Sequence, residues 1–280
     1  MAGSYLHLWL AARARAAGLA PIAGEDVAAA FRAGVMAPDL GFFPGGPRPF
    51  SDRVHGHGGR ELLAALWRSA ATAPERAFAA GWGLHIVTDL CVHPLIDRLV
   101  QALGGPHLSP EQEDLWHRRI EWGIDCRVLA VAPMGRHDLC LLWPRRQGRD
   151  LLARVAASMG GAPEPEREIR RGQRAVERWL ARLPGILACS GQIPSRGMRI
   201  LLPAAGRVLR RLILPAARQR GWLDIAAVLD PHPADAAVLG AAFQRGRDAL
   251  DAFRVELAGT PRGHWRPPAD GSTAANGESR

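Results

Sequence analysis

The chain has 280 residues, of which 48% are hydrophobic and 22% charged, proportions that indicate a globular protein and exclude a disordered one. Its formal net charge is +9, and every basic residue is an arginine. Such a balance fits an anionic partner, although dispersed arginines are more often plain solvated surface. No stretch reaches about 18 uninterrupted apolar residues, so the sequence predicts no membrane span.

The start of the chain, MAGSYLHLWLAARARAAG, lacks the basic region of a signal peptide, and Arg13 and Arg15 interrupt its apolar patch. The four cysteines form no CxxC pair, which is typical of reduced thiols. We therefore expect a cytoplasmic protein.

Alanine, leucine, arginine and glutamate dominate the chain, and long alternating β-branched runs are absent, so we expect an all-α, multi-helix bundle. Ser109, followed by Pro110 and acidic residues, predicts a strong helix start. The segment 37–59, rich in proline and glycine, is predicted to be an irregular loop. The other predicted helices cover 4–17, 25–34, 59–72, 75–93, 149–158, 166–183, 197–218 and 232–257.

The expected domain organisation is simple. Residues 1–258 form a single domain, with a ligand-bearing part over 1–130 and a helical completion over 149–258. The last residues, 259–280, are predicted to be a disordered tail.

Two columns of polar residues interrupt these apolar helices. His85, Asp89 and His93 recur every four residues and share one helix face, and His117, Glu121 and Asp125 do the same on the next helix. A buried polar group costs about 1 to 3 kcal/mol unless it is satisfied. Imidazole and carboxylate are ligands that zinc prefers. A single histidine of this kind is more often a hydrogen-bonded core residue, but two columns together favour metal.

The segments AGVMAPDLGFF, FSDRVHG, GWGLHIVTDLCVHPLID and HRRIE resemble the bacterial zinc-dependent phospholipase C family, whose fold is shared by the S1/P1 single-strand nucleases. The resemblance covers about residues 5–125. It implies two or three zinc ions. One site would use Asp39, His55, His85 and Asp89, a second His93, His117 and Glu121, and a third His7 with Asp89 as a bridge.

In the secreted members of that family, the third site is completed by the terminal amine and carbonyl of a processed tryptophan, whereas this chain begins MAGSYLH. The resemblance further implies hydrolysis of a phosphodiester by a zinc-activated water, with Asp39 also acting as a general base. Asp125 is expected to orient a histidine ligand.

The substrate is expected to be a phospholipid or another phosphate ester, in a pocket near Trp82, Phe42 and Phe43. The Arg-rich stretch 196–222 suggests contact with a membrane surface. Three alternatives stay open. They are a nuclease or phosphomonoesterase on the same fold, a metal phosphohydrolase using the dipeptide His137–Asp138, and a non-catalytic helical protein with structural zinc that binds lipid or acts as a scaffold.

Overall fold

A computed structural model of the chain describes residues 3–19, 24–56, 58–105, 107–132, 134–135, 137–159, 165–189, 211, 213–215 and 223–259. The fold is all-α, as the sequence predicts. The N-terminal part contains α1 (Ser4–Ala16), α2 (Glu25–Met36), a 3-10 turn (Pro38–Gly41), α3 (Arg48–His55), α4 (Gly58–Ser69), α5 (Ala73–Gly104) and α6 (Pro110–Val131). A short hairpin of two antiparallel two-residue strands, β1 (Arg145–Arg146) and β2 (Arg149–Asp150), follows. The remaining helices in chain order are α7 (Leu151–Ser158), α8 (Pro165–Cys189), α9 (Leu223–Leu229) and α10 (Ala236–Gly259).

The segment 37–59 is more regular than predicted, and the expectation of a loop throughout is wrong. Pro49 lies in the first turn of α3, where a missing N–H costs nothing. Ser51 then ties the segment together, because its Oγ donates to the Pro38 carbonyl at 2.6 Å and accepts from the Gly41 N–H at 2.7 Å. A helix therefore ends at His55 and presents it from a rigid element.

Helix α5 is longer than the predicted 75–93, because it runs through Pro94 to Gly104. Thr72 and Glu75 form a reciprocal capping box at its start. Pro94 has no N–H, so the helical hydrogen bond to the Leu90 carbonyl is missing. The Leu90 side chain is 44% exposed, so this side of α5 faces solvent and water can take the place of the bond. The predicted start of α6 is confirmed, since Ser109 and Gln112 form a second capping box.

Helix α5 lies at the centre of the molecule and contacts α2, α6 and α10. Its approach to α2 depends on two glycines, because a Cβ on Gly34 would lie 1.9 Å from the Phe78 carbonyl oxygen and one on Gly81 would lie 2.1 Å from that of Phe31. Both helices therefore meet backbone to backbone, and Val35 is brought beside α5.

The C-terminal helices differ from the prediction in their bounds. Helix α8 continues through Pro184 to Cys189 rather than ending near 183. The predicted helix 232–257 begins at Ala236, after the proline-containing segment 230–235. The predicted helix 197–218 lies largely outside the described residues, and so does the predicted tail 259–280 except for Gly259, which ends α10. Within the described ranges, no helix is long and apolar enough to span a bilayer.

Candidate metal centre

The polar column of α5 faces a second set of histidines and acids from four other elements. His85 is buried, Asp89 and His93 are partly buried, and all three lie on the side of α5 that faces α3, α6 and α1. Three groups of side chains bring their ligand atoms within 4.8 Å of one another: first, Asp39 with His55 and His85; second, His93 with His117 and Glu121; and third, His7 with His85 and Asp89.

The first group joins three elements around His85. Asp39 comes from the 3-10 turn and is fully buried, and its Oδ1 lies 3.1 Å from His55 Nε2 and 3.9 Å from His85 Nε2. Asp89 Oδ2 lies 3.1 Å from His85 Nε2 and 3.6 Å from His55 Nε2. Two imidazoles and two carboxylates thus converge on one point.

The tautomers of these two imidazoles follow from their backbone partners. His85 Nδ1 lies 2.9 Å from the Val35 carbonyl, and His55 Nδ1 lies 2.9 Å from the Ser51 carbonyl. A carbonyl only accepts, so each Nδ1 carries the proton and each neutral ring keeps its lone pair on Nε2. The two Nε2 atoms face each other at 3.2 Å.

Two lone pairs at that distance repel each other unless a cation or a proton lies between them. The neighbouring carboxylates of Asp39 and Asp89 add two negative charges, which one proton cannot balance. A divalent ion balances them, and imidazole with carboxylate is a donor set that zinc prefers. Among the described residues, Asp39 Oδ2 is buried without a hydrogen-bond partner, which also fits an unfilled ligand position. The residues present therefore fit a zinc ion.

The second group lies one turn further along α5. His93 Nε2 lies 3.5 Å from Asp89 Oδ1 and 3.7 Å from Glu121 Oε1, and His117 Nε2 lies 2.8 Å from the same Glu121 oxygen. On the other side of its ring, His117 Nδ1 lies 3.5 Å from Asp97 Oδ1. Asp97 thus faces the Nδ1 edge of His117, at a longer distance than the carbonyls that bond His55 and His85.

The third group connects α1 to the cluster. His7 is buried and stacks on His85, with ring centroids 4.3 Å apart. Its Nε2 lies 3.1 Å from Asp89 Oδ1, while Asp89 Oδ2 faces His85 and His55. Asp89 thus offers one oxygen to each side, which is the geometry of a bridging carboxylate.

The carboxylates of the cluster are ionised at neutral pH. Burial alone raises the pKa of Asp39, but its interactions with His85 and with the hydrogen-bonding His55 outweigh burial and hold the pKa at about 2. Burial also raises the pKa of Asp89, but its interactions with His85 and His93 outweigh burial and hold the pKa well below its usual value. The pKa of Glu121 is likewise lowered despite its burial, with His117 and His93 among the causes. Burial lowers the pKa of His117, but Glu121 and Asp97 more than compensate and raise it to about 9.

Asp125 has different partners from those predicted. Its carboxyl oxygens accept hydrogen bonds from the backbone N–H groups of Tyr5 and Leu6, at 3.0 to 3.1 Å, at the N-terminus of α1. A Cβ on Gly3 would lie 2.6 Å from Asp125 Oδ1, so a larger residue there would displace the carboxyl group. Among the described residues its hydrogen bonds come from these backbone groups and not from a histidine, so its connection to His7 runs through α1, which carries that residue.

Two clefts meet at His55, His93 and Asp97. One, of about 450 Å3, runs between α3, α4 and α5, and beside the shared histidines and acids its lining has an apolar part from Val54, Trp82, Ile86, Leu90 and Pro94 and one further cation, Arg60. The other, of about 500 Å3, runs between α3, α5 and α6 and is lined by polar and charged side chains from Arg48, Gln101, Glu113, Asp114 and Arg118.

The predicted pocket aromatics have different positions. Trp82 lines the apolar cleft, and Phe42 lines the charged cleft with its ring 4.9 Å from that of His55. Phe43 lines neither of these clefts and is buried in the core, so its prediction as a pocket residue is wrong. His137 and Asp138 belong to none of the three groups, and Asp138 closes a local turn by accepting from the Gly135 N–H.

Sequence reasoning missed Asp97 and the carbonyls of Val35 and Ser51. Asp97 continues the four-residue spacing of His85, Asp89 and His93, so its position was available as a signal. The carbonyls were not, because any residue type supplies one.

These features define an all-α protein with a candidate metal centre of histidines and acids. The family model for zinc-dependent phospholipase C matches residues 6–151, which is 146 of the 280 residues and includes all three groups. The chain therefore belongs to the zinc-dependent phospholipase C family. No curated protein and no solved structure matches it.

Proposed function

We propose that this protein is a zinc-dependent phosphodiester hydrolase that cleaves phospholipids in the manner of a phospholipase C. The observation that carries the proposal is the pair of facing imidazole lone pairs, 3.2 Å apart between two ionised carboxylates, at the junction of two clefts. Such a junction puts a cation site where a substrate can reach it.

The proposed ligands follow the three groups. Asp39, His55, His85 and Asp89 hold one ion, and His93, His117 and Glu121 hold a second. His7, with Asp89 as the bridge, forms the third site. When bound, zinc ions lower the pKa of a water to near neutrality and neutralise phosphate oxygens.

The remaining work belongs to residues of this chain. The Val35 and Ser51 carbonyls fix the tautomers of His85 and His55, and Asp97 orients His117. The predicted double role of Asp39 stays a prediction. Its burial and its pKa of about 2 favour the role of ligand over that of general base, because so weak a base takes up a proton poorly near pH 7.

The two clefts support a lipid substrate. A phospholipid has an apolar diacylglycerol part and a polar headgroup on opposite sides of its phosphate. With the phosphate near His55 and His93, the apolar cleft of Ile86, Leu90 and Pro94 suits the first part, and the charged cleft suits the second.

The test combines metal content with substrate choice. The purified full chain should contain at least two zinc ions, and it should release a phosphorylated headgroup from phospholipid faster than it cleaves a dinucleotide or a phosphomonoester. The variant His85→Ala should lose zinc and activity. His137→Ala is a matched control, since His137 is exposed and outside the three groups, and it should behave as wild type.

The other outcomes separate the alternatives. A zinc-loaded protein that prefers the dinucleotide or the phosphomonoester would move the proposal to those activities. Bound zinc without hydrolysis of any ester would indicate a structural role, and a folded wild type without metal would reject the metal centre itself.

A further inference from the structure

Helix α8 is anchored along one face and exposed along the other. Its buried face contributes Ile169, Val176, Leu180, Leu183 and Leu187 to the core. Two further bonds hold it in place: Trp179 Nε1 donates to the Pro44 carbonyl at 3.1 Å, and the Tyr5 hydroxyl donates to the Leu180 carbonyl at 3.2 Å. The orientation of the helix is therefore fixed, and so is the set of side chains that it turns outward.

The outward face carries a row of arginines. Arg171, Arg174, Arg178 and Arg182 are all exposed, and their spacings of three, four and four residues place them along one side of the helix. The row extends for roughly 16 Å, at about 1.5 Å per residue. We call these four residues the arginine row.

The arginine row differs from the paired arginines of this protein. Arg48 pairs with Asp52, Arg118 with Asp114, and Arg170, on the same helix, with Glu166. No member of the arginine row forms an ion pair with any of the described residues. Like charges three or four residues apart on a helix repel each other, and Glu168 and Glu177, each three residues from one member of the row, offset only part of this repulsion. An anionic partner would relieve this repulsion.

We propose that the arginine row docks the protein on the surface of an anionic phospholipid bilayer. Guanidinium groups bind phosphate oxygens through paired hydrogen bonds, and a straight row on a convex helix can touch a flat surface along its whole length. Single-stranded nucleic acid is bound by stacking on open aromatic rings. Trp179, the aromatic residue beside the row, is instead partly buried and bonded to Pro44.

This inference goes beyond the proposed function and rests on it only for its purpose, which is to hold the enzyme at a phospholipid surface. The docking itself uses no residue of the metal centre. The two proposals can therefore fail separately.

The test is co-sedimentation of the full chain with vesicles of phosphatidylcholine, with and without phosphatidylglycerol. The wild type should bind the vesicles that contain phosphatidylglycerol, and added salt should weaken the binding. Each arginine near an anionic surface contributes about fivefold in affinity. Replacing all four by glutamine (Arg171→Gln, Arg174→Gln, Arg178→Gln and Arg182→Gln) should therefore weaken binding by roughly several hundredfold.

The matched control makes the same change of charge elsewhere. Arg68, Arg98, Arg127 and Arg254 are exposed on α4, α5, α6 and α10, and their replacement by glutamine should leave most of the binding intact. Both variants should keep the melting temperature of the wild type and its hydrolysis of a monomeric short-chain phospholipid.

Three results would overturn the inference. They are equal losses in the two variants, no preference of the wild type for phosphatidylglycerol, and a row variant that keeps vesicle binding while losing affinity for a single-stranded oligonucleotide. Absence of hydrolysis alongside normal vesicle binding would count against the proposed function alone.

Discussion

Asp89 is the side chain on which the groups of the centre depend most. One of its oxygens faces His85 and His55, and the other faces His7 and His93. The replacement Asp89→Asn keeps the volume of the side chain and removes the charge that the proposed ions share. We expect the variant to lose bound zinc.

Thermal melts with and without a chelator measure this loss. A ligand that binds only the folded state raises the melting temperature, so chelation should lower that of the wild type and have little effect on Asp89→Asn. Asp52→Asn is the control, because Asp52 is exposed and pairs with Arg48. A chelator response in Asp89→Asn equal to that of the wild type would argue against a bridging role.

Asp97 gives a second test at the scale of one residue. It is 65% exposed, and its carboxylate faces His117 Nδ1. Loss of a carboxylate that orients a metal-binding histidine typically lowers metal affinity about 10- to 100-fold, and we expect this of Asp97→Asn in a zinc competition titration. Glu113→Gln, a change of the same kind in the same cleft, should have little effect. Partial recovery of affinity in Asp97→Glu would distinguish orientation of His117 from a loss of folding.

At the scale of the elements, the crossing of α2 and α5 sets the position of His85. Gly34 and Gly81 let the two backbones approach, and the Val35 carbonyl then reaches His85 Nδ1. The variant Gly81→Ala places a methyl group against the Phe31 carbonyl, so we expect a loss of about 1 to 3 kcal/mol in the free energy of unfolding.

The same variant should also bind zinc more weakly, because separation of the helices moves the carbonyl away from the ring. Denaturant unfolding and zinc titration report the two effects. Gly240→Ala on α10, where nothing lies within 4 Å of the added Cβ, should instead stabilise the helix by about 0.5 to 1 kcal/mol. Wild-type stability in Gly81→Ala would show that the helices can separate without cost.

Sequence predicts these elements well where the signal is local and poorly where it is not. The four-residue columns and the Ser109 cap lie within single helices, so their faces and starts follow from periodicity. The end of α5 does not, since a proline usually stops a helix, whereas this one continues through Pro94 to Gly104. Helix α3 was missed because bonds from Ser51 to Pro38 and Gly41 organise a proline-rich segment that looks irregular in the sequence.

At the scale of the whole molecule, pH should have opposite effects on stability and on metal binding. The pKa of His117 is about 9 in the metal-free fold, above its usual 6.5. Its contribution to stability is therefore complete below pH 6.5 and is lost as the pH rises through 9. Asp125 acts in the same direction, because burial raises its pKa to about 8. We expect the free energy of unfolding of the metal-free protein to fall over this range.

Zinc affinity should rise over the same range, because the metal displaces the proton from His117. Chemical denaturation of the metal-free protein and zinc titration at several pH values check the two trends. In His117→Gln the fall in stability should shrink to the part that Asp125 contributes. A metal-free wild type that becomes more stable from pH 6.5 to 9 would contradict the charge assignment.

The assembly of the whole site was only partly predictable. The residue types and spacings of His85, Asp89 and His117 indicate zinc from the sequence alone, and resemblance to a family sorts them into sites. Which Asp89 oxygen faces which histidine depends on how α1, α3 and α6 meet α5. The difference between the apolar and the charged cleft likewise arises from side chains far apart in the sequence, such as Val54 and Leu90.

The unbroken course of α5 has a consequence for how chains of this kind can vary in length. One extra residue between His85 and Asp97 would rotate everything after it by about 100° around the helix axis and turn part of the column away from its partners. Added residues between Gly104 and Ser109, where the chain leaves the helix, would leave the column intact. Insertions and deletions in related chains should therefore avoid the first segment and accumulate in the second.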